Sequence, residues 1–184
     1  MGQDISDTNF EYKSVYERVL EFKRKYPTTI AWRLKQNSQV IQQHLNPDEK
    51  VVYAFVAQKN NNPFDILSTA VVAVTTERLL IGRKRVVIGC FFNSVTPDLF
   101  NDLKVMDGFL WGKVHLDTVK EYVCLSNIAR AALPEIETNI SANMMRYKKQ
   151  KGFRVKEWFE SFFFLLKFRI ALQKNNFFCY NVYE

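Results

Sequence analysis

The sequence predicts an α+β chain. About seven short antiparallel strands form a β-sandwich or partly open barrel closed by one C-terminal helix, with helices in front and a helical extension behind. Three observations carry this expectation. Between residues 50 and 126, short runs rich in Val, Ala and Ile alternate with Gly, Pro, Asn and Asp clusters, which mark strands and turns. The segment 134–147 then starts at a proline and repeats its apolar residues at helical spacing. The first 45 residues show the same helical period. A strongly bent sheet leaves an open corner, and an amphipathic helix is an economical plug for it.

Taken in order, Ser14-Val15-Tyr16-Glu17 has capping-box spacing, and Val15, Val19, Phe22 and Tyr26 share one helical face. Pro27 ends that helix. Thr28 or Thr29 is read as the cap of a second helix, whose apolar face would be Ile30, Leu34, Ile41 and Leu45, ending at Asn46-Pro47. Strands are expected at 51–58, 66–74, 79–82 and 86–92, then in LKVMDG, FLWGKVHLD and 119–126. Asp107-Gly108 suits a hairpin turn. Pro134 fits a first helical turn, where its missing amide costs nothing, and Ile136, Ile140, Met144 and Tyr147 line one face.

The bulk composition narrows the class. At 184 residues, 47% hydrophobic and 24% charged, the chain can bury a core and is not a disordered chain. No apolar run approaches the roughly 18–20 residues needed to span a bilayer. The start, MGQDISDTNFEYK, is polar and acidic, unlike a secretory leader. Cys90, Cys124 and Cys179 are scattered and form no CxxC pair, which suits reduced thiols. The expected location is cytoplasmic, with peripheral contact to a membrane as the alternative.

The net charge of +7 is unevenly spread. Residues 1–48 carry a net +1, residues 49–148 a net +2 and residues 149–184 a net +4. A nucleic-acid binder usually shows a basic face on its folded core, so the nearly balanced centre makes nucleic acid an unfavoured partner. Three segments are expected: an N-terminal helical extension at 1–48, the sheet domain at 49–148 and an aromatic-rich basic extension at 149–184.

Catalytic chemistry finds little support. The two histidines, His44 and His115, have no metal-ligand spacing. Asp102 and Asp107 flank a turn, where Asp is ordinary. There is no GxSxG, P-loop or dinucleotide fingerprint. Thr75-Thr76-Glu77-Arg78 reads as a structural turn, with hydroxyls on turn amides and Arg78 on Glu77 or carbonyls. We expect no enzyme, no cofactor and no metal site.

Four stretches in order carry a resemblance: LNPDEKVV (45–52), VVAVTTERLLI (71–81), LFNDLKVMDGFLWGKVHLDT (99–118) and LSNIARAALPEI (125–136). Together they resemble the bacterial pleckstrin-homology (PH-like) domains of the YokE-like type, over about residues 45–147. The resemblance implies a small β-sandwich or partly open barrel capped by one helix, serving as a binding platform without catalysis. It also implies that the loop between the third and fourth strands lies on a rim where many relatives bind anions. On that rim Arg83, Lys84 and Arg85 would be joined by Lys59 and Lys120. Such a cluster attracts phosphates, acidic lipid surfaces or acidic peptides. The competing reading is a hairpin tip charged only to stay solvated. The expected partners are a protein, a second copy of the chain, or an acidic membrane surface.

The last segment is the most unusual. Residues 151–184 hold eight of the 16 phenylalanines. On a helix, Lys149, Lys156, Glu160, Lys167 and Lys174 fall in one stripe, leaving Trp158, Phe159, Phe162, Phe163 and Leu166 on the apolar remainder. Such a face needs cover: its own chain, another chain or a membrane interface.

Overall fold

The computed structural model of the chain describes residues 13–149. Two helices come first, α1 (Val15–Lys25) and α2 (Leu34–Gln42). Seven strands follow: β1 (Val51–Gln58), β2 (Thr69–Thr75), β3 (Leu79–Lys84), β4 (Cys90–Val95), β5 (Phe100–Met106), β6 (Trp111–Thr118) and β7 (Tyr122–Ala129). A closing helix, α3, runs over 133–149 within the described residues. The chain divides into two compact units, Met1–Met145 and Arg146–Glu184. Only the end of α3 is described in the second.

All strand pairs are antiparallel, in the order β4-β3-β2-β1-β7-β6-β5. The two halves of the sheet meet where Gln58 of β1 pairs with Ser126 of β7, and no other register pair joins them. So narrow a junction lets the sheet curl. β1–β4 form one wall of a curled half-barrel and β5–β7 the other. α1 packs on β1, and α2 packs on β2 and β3. Val15, Val19 and Phe22 of α1, Ile41 of α2, Phe55, Leu80, Leu116, Leu125, and Ile136 and Ile140 of α3 make up the core. Burying each such side chain is worth about 1.5–3 kcal/mol. β2 is buried at all seven positions, and between its two terminal threonines residues 70–74 are an unbroken apolar run.

Ser14 caps α1 with the complete capping box: its hydroxyl accepts from the Glu17 amide, and the Glu17 carboxylate accepts from the Ser14 amide. The expectation for α2 needs correction. Neither Thr28 nor Thr29 caps it. Residues 30–33 are not helical, and the residue before Leu34 is Arg33, in the left-handed conformation at φ 54°. The reason is tertiary. Thr29 Oγ1 accepts the Ala129 amide at 3.0 Å, and the Asn127 side chain donates to Ile30 O at 2.8 Å. The segment is thus tied to β7 before α2 can begin, and Ile30 stays exposed.

Five strand starts also shift: β5 begins three residues earlier than expected, at Phe100, and β6 and β7 begin two and three residues later, at Trp111 and Tyr122. Residues 66–68 form a single 3-10 turn before β2. The strand expected at 86–92 begins only at Cys90, while β3 continues through Arg83 and Lys84. Arg85 donates its amide to Gly89 O at 3.1 Å, closing a turn in which Gly89 takes φ +85°. That left-handed backbone is free for glycine and costly for other residues.

Candidate functional site

Strand direction gathers one end of the wall β1–β4. Gln58 pairs with Thr69, and Lys84 pairs with Cys90, so the 59–68 connection and the 85–89 turn project from the same edge. The segment before α2 joins them. Trp32 donates its amide to Thr69 Oγ1 at 3.3 Å, and Arg33 Nη1 donates to Arg85 O at 3.2 Å. Asn37 braces the edge: its Nδ2 donates to Thr69 O at 3.0 Å and its Oδ1 accepts the Lys84 amide at 2.9 Å. Behind it, Gly82 lets α2 come close, since a Cβ there would stand 2.6 Å from Ile41 Cγ1.

The cations predicted for this rim are only partly brought together. Arg83 and Lys84 end β3, and Arg85 opens the turn. Arg83 is half-buried and the other two are exposed. Among the described residues none of the three makes an ion pair. Lys59 does come near: it is close enough to Arg83 for their charges to repel. It is engaged, however. Its ammonium sits 3.4 Å from the centre of the Phe91 ring and 3.5 Å from Glu121 Oε1. Burial pushes the Lys59 pKa down, and Arg83 adds to that while Glu121 opposes it. Lys120 is exposed on the β6–β7 turn, beside Glu121, and among the described residues no contact joins it to the three cations.

Sequence reasoning missed what lies beyond Arg85. The tip is apolar: Val86, Val87 and Ile88 are 54%, 88% and 82% exposed. Trp32, 41% exposed, stands at the same end with the Arg33 guanidinium 5.2 Å from its ring centre. The available signal was Gly89. A glycine just before the returning strand marks a hairpin whose turn spans the residues ahead of it. Val86-Val87-Ile88 reads as strand by composition, and this hid the turn.

The other candidates resolve as structure. The Thr75–Arg78 turn is a closed network around Glu49, with Thr75 Oγ1 2.6 Å from Glu49 Oε1 and also accepting the Glu77 and Arg78 amides. His44 stacks on Phe92 at 4.1 Å, and His115 stacks on Tyr122 at 5.2 Å. Burial, then Lys113 and Lys104, push the His115 pKa down, favouring a neutral ring. Asp107 pairs with Arg130 at 2.9 Å, and Asp102 accepts its neighbour's amide. Among the described residues no acidic, His or Cys cluster could hold a metal, and no helix is long and apolar enough to cross a membrane. Trp158, Phe159, Phe162, Phe163 and Leu166 lie outside the described residues.

A family model described as a bacterial PH domain matches residues 45–142. The chain belongs to the bacterial PH domain family. The match begins just after α2 and ends within α3, so it covers the seven strands and the first part of the closing helix. Among solved structures the chain is similar to a DUF1696 family protein with a pleckstrin-homology domain from Shewanella loihica PV-4. The two share 13% identity at a TM-score of 0.40, over 63% of this chain and 93% of that one. No curated protein matches the chain. PH domains generally act as interaction modules, and this bacterial PH domain presents a binding-module fold.

Proposed function

We propose that the chain is a non-catalytic binding module that recognises an acidic ligand at the open end of the β1–β4 wall. The observation that carries this reading is the run Arg83-Lys84-Arg85: three consecutive cations at one strand end, without carboxylate partners among the described residues. Lys59 and Lys120 are flanking contributors in this reading, Lys59 through its proximity to Arg83. Unpaired cations on neighbouring residues form charge-assisted bonds with phosphate or carboxylate oxygens, and the arginines can do so bidentately. The four stretches between residues 45 and 136 support the YokE-like branch of the family. They also support a sheet domain at 49–148 between an N-terminal helical extension and a C-terminal aromatic one. The test is a charge reversal of Arg83, Lys84 and Arg85 to Glu in the full chain. Binding would be measured to poly-L-glutamate and to phosphatidylserine vesicles at two salt concentrations. Loss of both is expected, with a weaker salt dependence in what remains. Unchanged binding to both probes would overturn the reading.

A further inference from the structure

The acidic ligand can be narrowed by the residues just beyond the cations. Val86, Val87 and Ile88 are consecutive, β-branched and exposed, and they project at the very end of a hairpin. Apolar side chains this bare are unusual on a soluble surface when they stand together. They form a protrusion, where a small-molecule site would be concave. A protrusion suits a soft phase that closes around it.

Resting on the proposed acidic-ligand reading, we infer that the β3–β4 hairpin is a bilayer anchor: Val86, Val87 and Ile88 enter the interface of an anionic membrane, and Arg83, Lys84 and Arg85 bind its headgroups. The spacing fits. At about 3.3 Å per residue, Lys84 sits at most roughly 10 Å behind Val87. Interfacial apolar groups are buried roughly 5–10 Å into the headgroup and acyl boundary, which leaves the cations at headgroup depth. Trp32, beside Arg85 through the Arg33 bond, adds an aromatic residue of the kind that gathers at membrane interfaces. Charge argues against the same tip meeting its copy, since three cations would face three.

The experiment uses the full chain and three probes: phosphatidylcholine vesicles, the same vesicles containing phosphatidylserine, and poly-L-glutamate. Two variants are compared with the parent, Val87→Ser with Ile88→Ser, and the Glu reversal of Arg83, Lys84 and Arg85. A third, Val87→Trp, is mixed with lipids brominated on their acyl chains. The apolar double variant should lose at least about tenfold in affinity for the phosphatidylserine vesicles, as expected for two apolar side chains no longer buried. It should keep its poly-L-glutamate binding and its melting temperature. The charge reversal should lose roughly fivefold per cation on those vesicles. Val87→Trp should show emission quenched by the brominated lipid beyond any quenching of the parent. Because the tip is solvent-exposed, either variant is expected to fold, and the melting temperature reports this directly.

Four results would overturn the inference. The apolar variant could bind the vesicles as well as the parent while the charge reversal does not; the acidic-ligand reading then stands and the bilayer anchor falls. The parent could bind poly-L-glutamate and no vesicle, with the same consequence. The apolar variant could instead turn an oligomer into a monomer, which would give the tip to a second copy. If the charge reversal alters neither probe, the acidic-ligand reading falls and this inference with it.

Discussion

Arg78 grips Glu49 with two guanidinium nitrogens: Nε lies 3.0 Å from Oε1 and Nη2 lies 2.8 Å from Oε2. The same Arg78 Nη2 donates to His44 O at 3.0 Å, and Nη1 donates to Ser94 Oγ at 3.2 Å. One side chain therefore ties together the end of α2, the approach to β1, the start of β3 and strand β4. The Glu49 side chain is fully buried. Burial raises its pKa, but the bonds from Arg78, Thr75 and Asn46 outweigh burial and leave it below the ordinary carboxylate range.

This pair predicts both a stability loss and a pH dependence. Arg78→Ala leaves a buried carboxylate unpaired and should cost about 3–5 kcal/mol in chemical denaturation. Glu49→Gln should also destabilise, since Arg78 then loses its counter-charge. A carboxylate whose folded pKa is depressed stabilises the fold above its unfolded pKa of roughly 4.3. That contribution disappears as the pH falls through the lower folded value. The stability gap between the parent and Glu49→Gln should therefore be full at neutral pH and shrink in acid. A gap that does not change with pH would contradict this assignment.

The Gly82 contact predicts a coupling between α2 and β3. Gly82→Ala would put a Cβ 2.6 Å from Ile41 Cγ1 and 3.3 Å from the backbone carbonyl of Asn37. Overpacking of this kind costs roughly 1–3 kcal/mol. The cost should drop when the same change is made in an Ile41→Ala background, where the offending atom is gone. Equal costs in both backgrounds, read from thermal melts, would show that Ile41 is not the obstacle.

Asn127 predicts a separable pair of effects. It is fully buried, holds φ 57°, and binds Ile30 O through Nδ2 at 2.8 Å. Asn127→Ala should lose the bond, at about 1–3 kcal/mol, and keep the backbone strain. Asn127→Gly loses the bond but tolerates the conformation, so it should fall less by roughly 1 kcal/mol. Hydrogen exchange of residues 29–33 should rise in both variants. Protection equal to the parent's would refute the tether.

Gly89 offers a purely conformational test. Nothing lies within 4 Å of a Cβ built there, yet φ is +85°. Gly89→Ala should cost roughly 1–2 kcal/mol from backbone alone. A stability unchanged by this substitution would mean the turn takes another conformation in solution.

The order of elements was legible in the sequence because it depends on local patterning. The capping box at Ser14 and Glu17, the unbroken apolar run of β2, and the proline-started helix are each written within a few residues, and the family resemblance rests on such stretches. The cationic run was equally plain. What the sequence could not place was the turn at its end. Val86-Val87-Ile88 has strand composition, and only the pairing of Lys84 with Cys90 leaves those residues outside the ladder. The start of α2 was hidden for a similar reason. Thr29 and Ile30 have helix-start chemistry locally, but Ala129 and Asn127, about 100 residues later, claim their hydrogen-bonding groups. Lys59 read as a free rim cation until the fold brought Phe91 and Glu121 against it. Local propensity and period decided which elements this chain forms; competition for partners distant in sequence decided where they end and which of its charges remain unpaired.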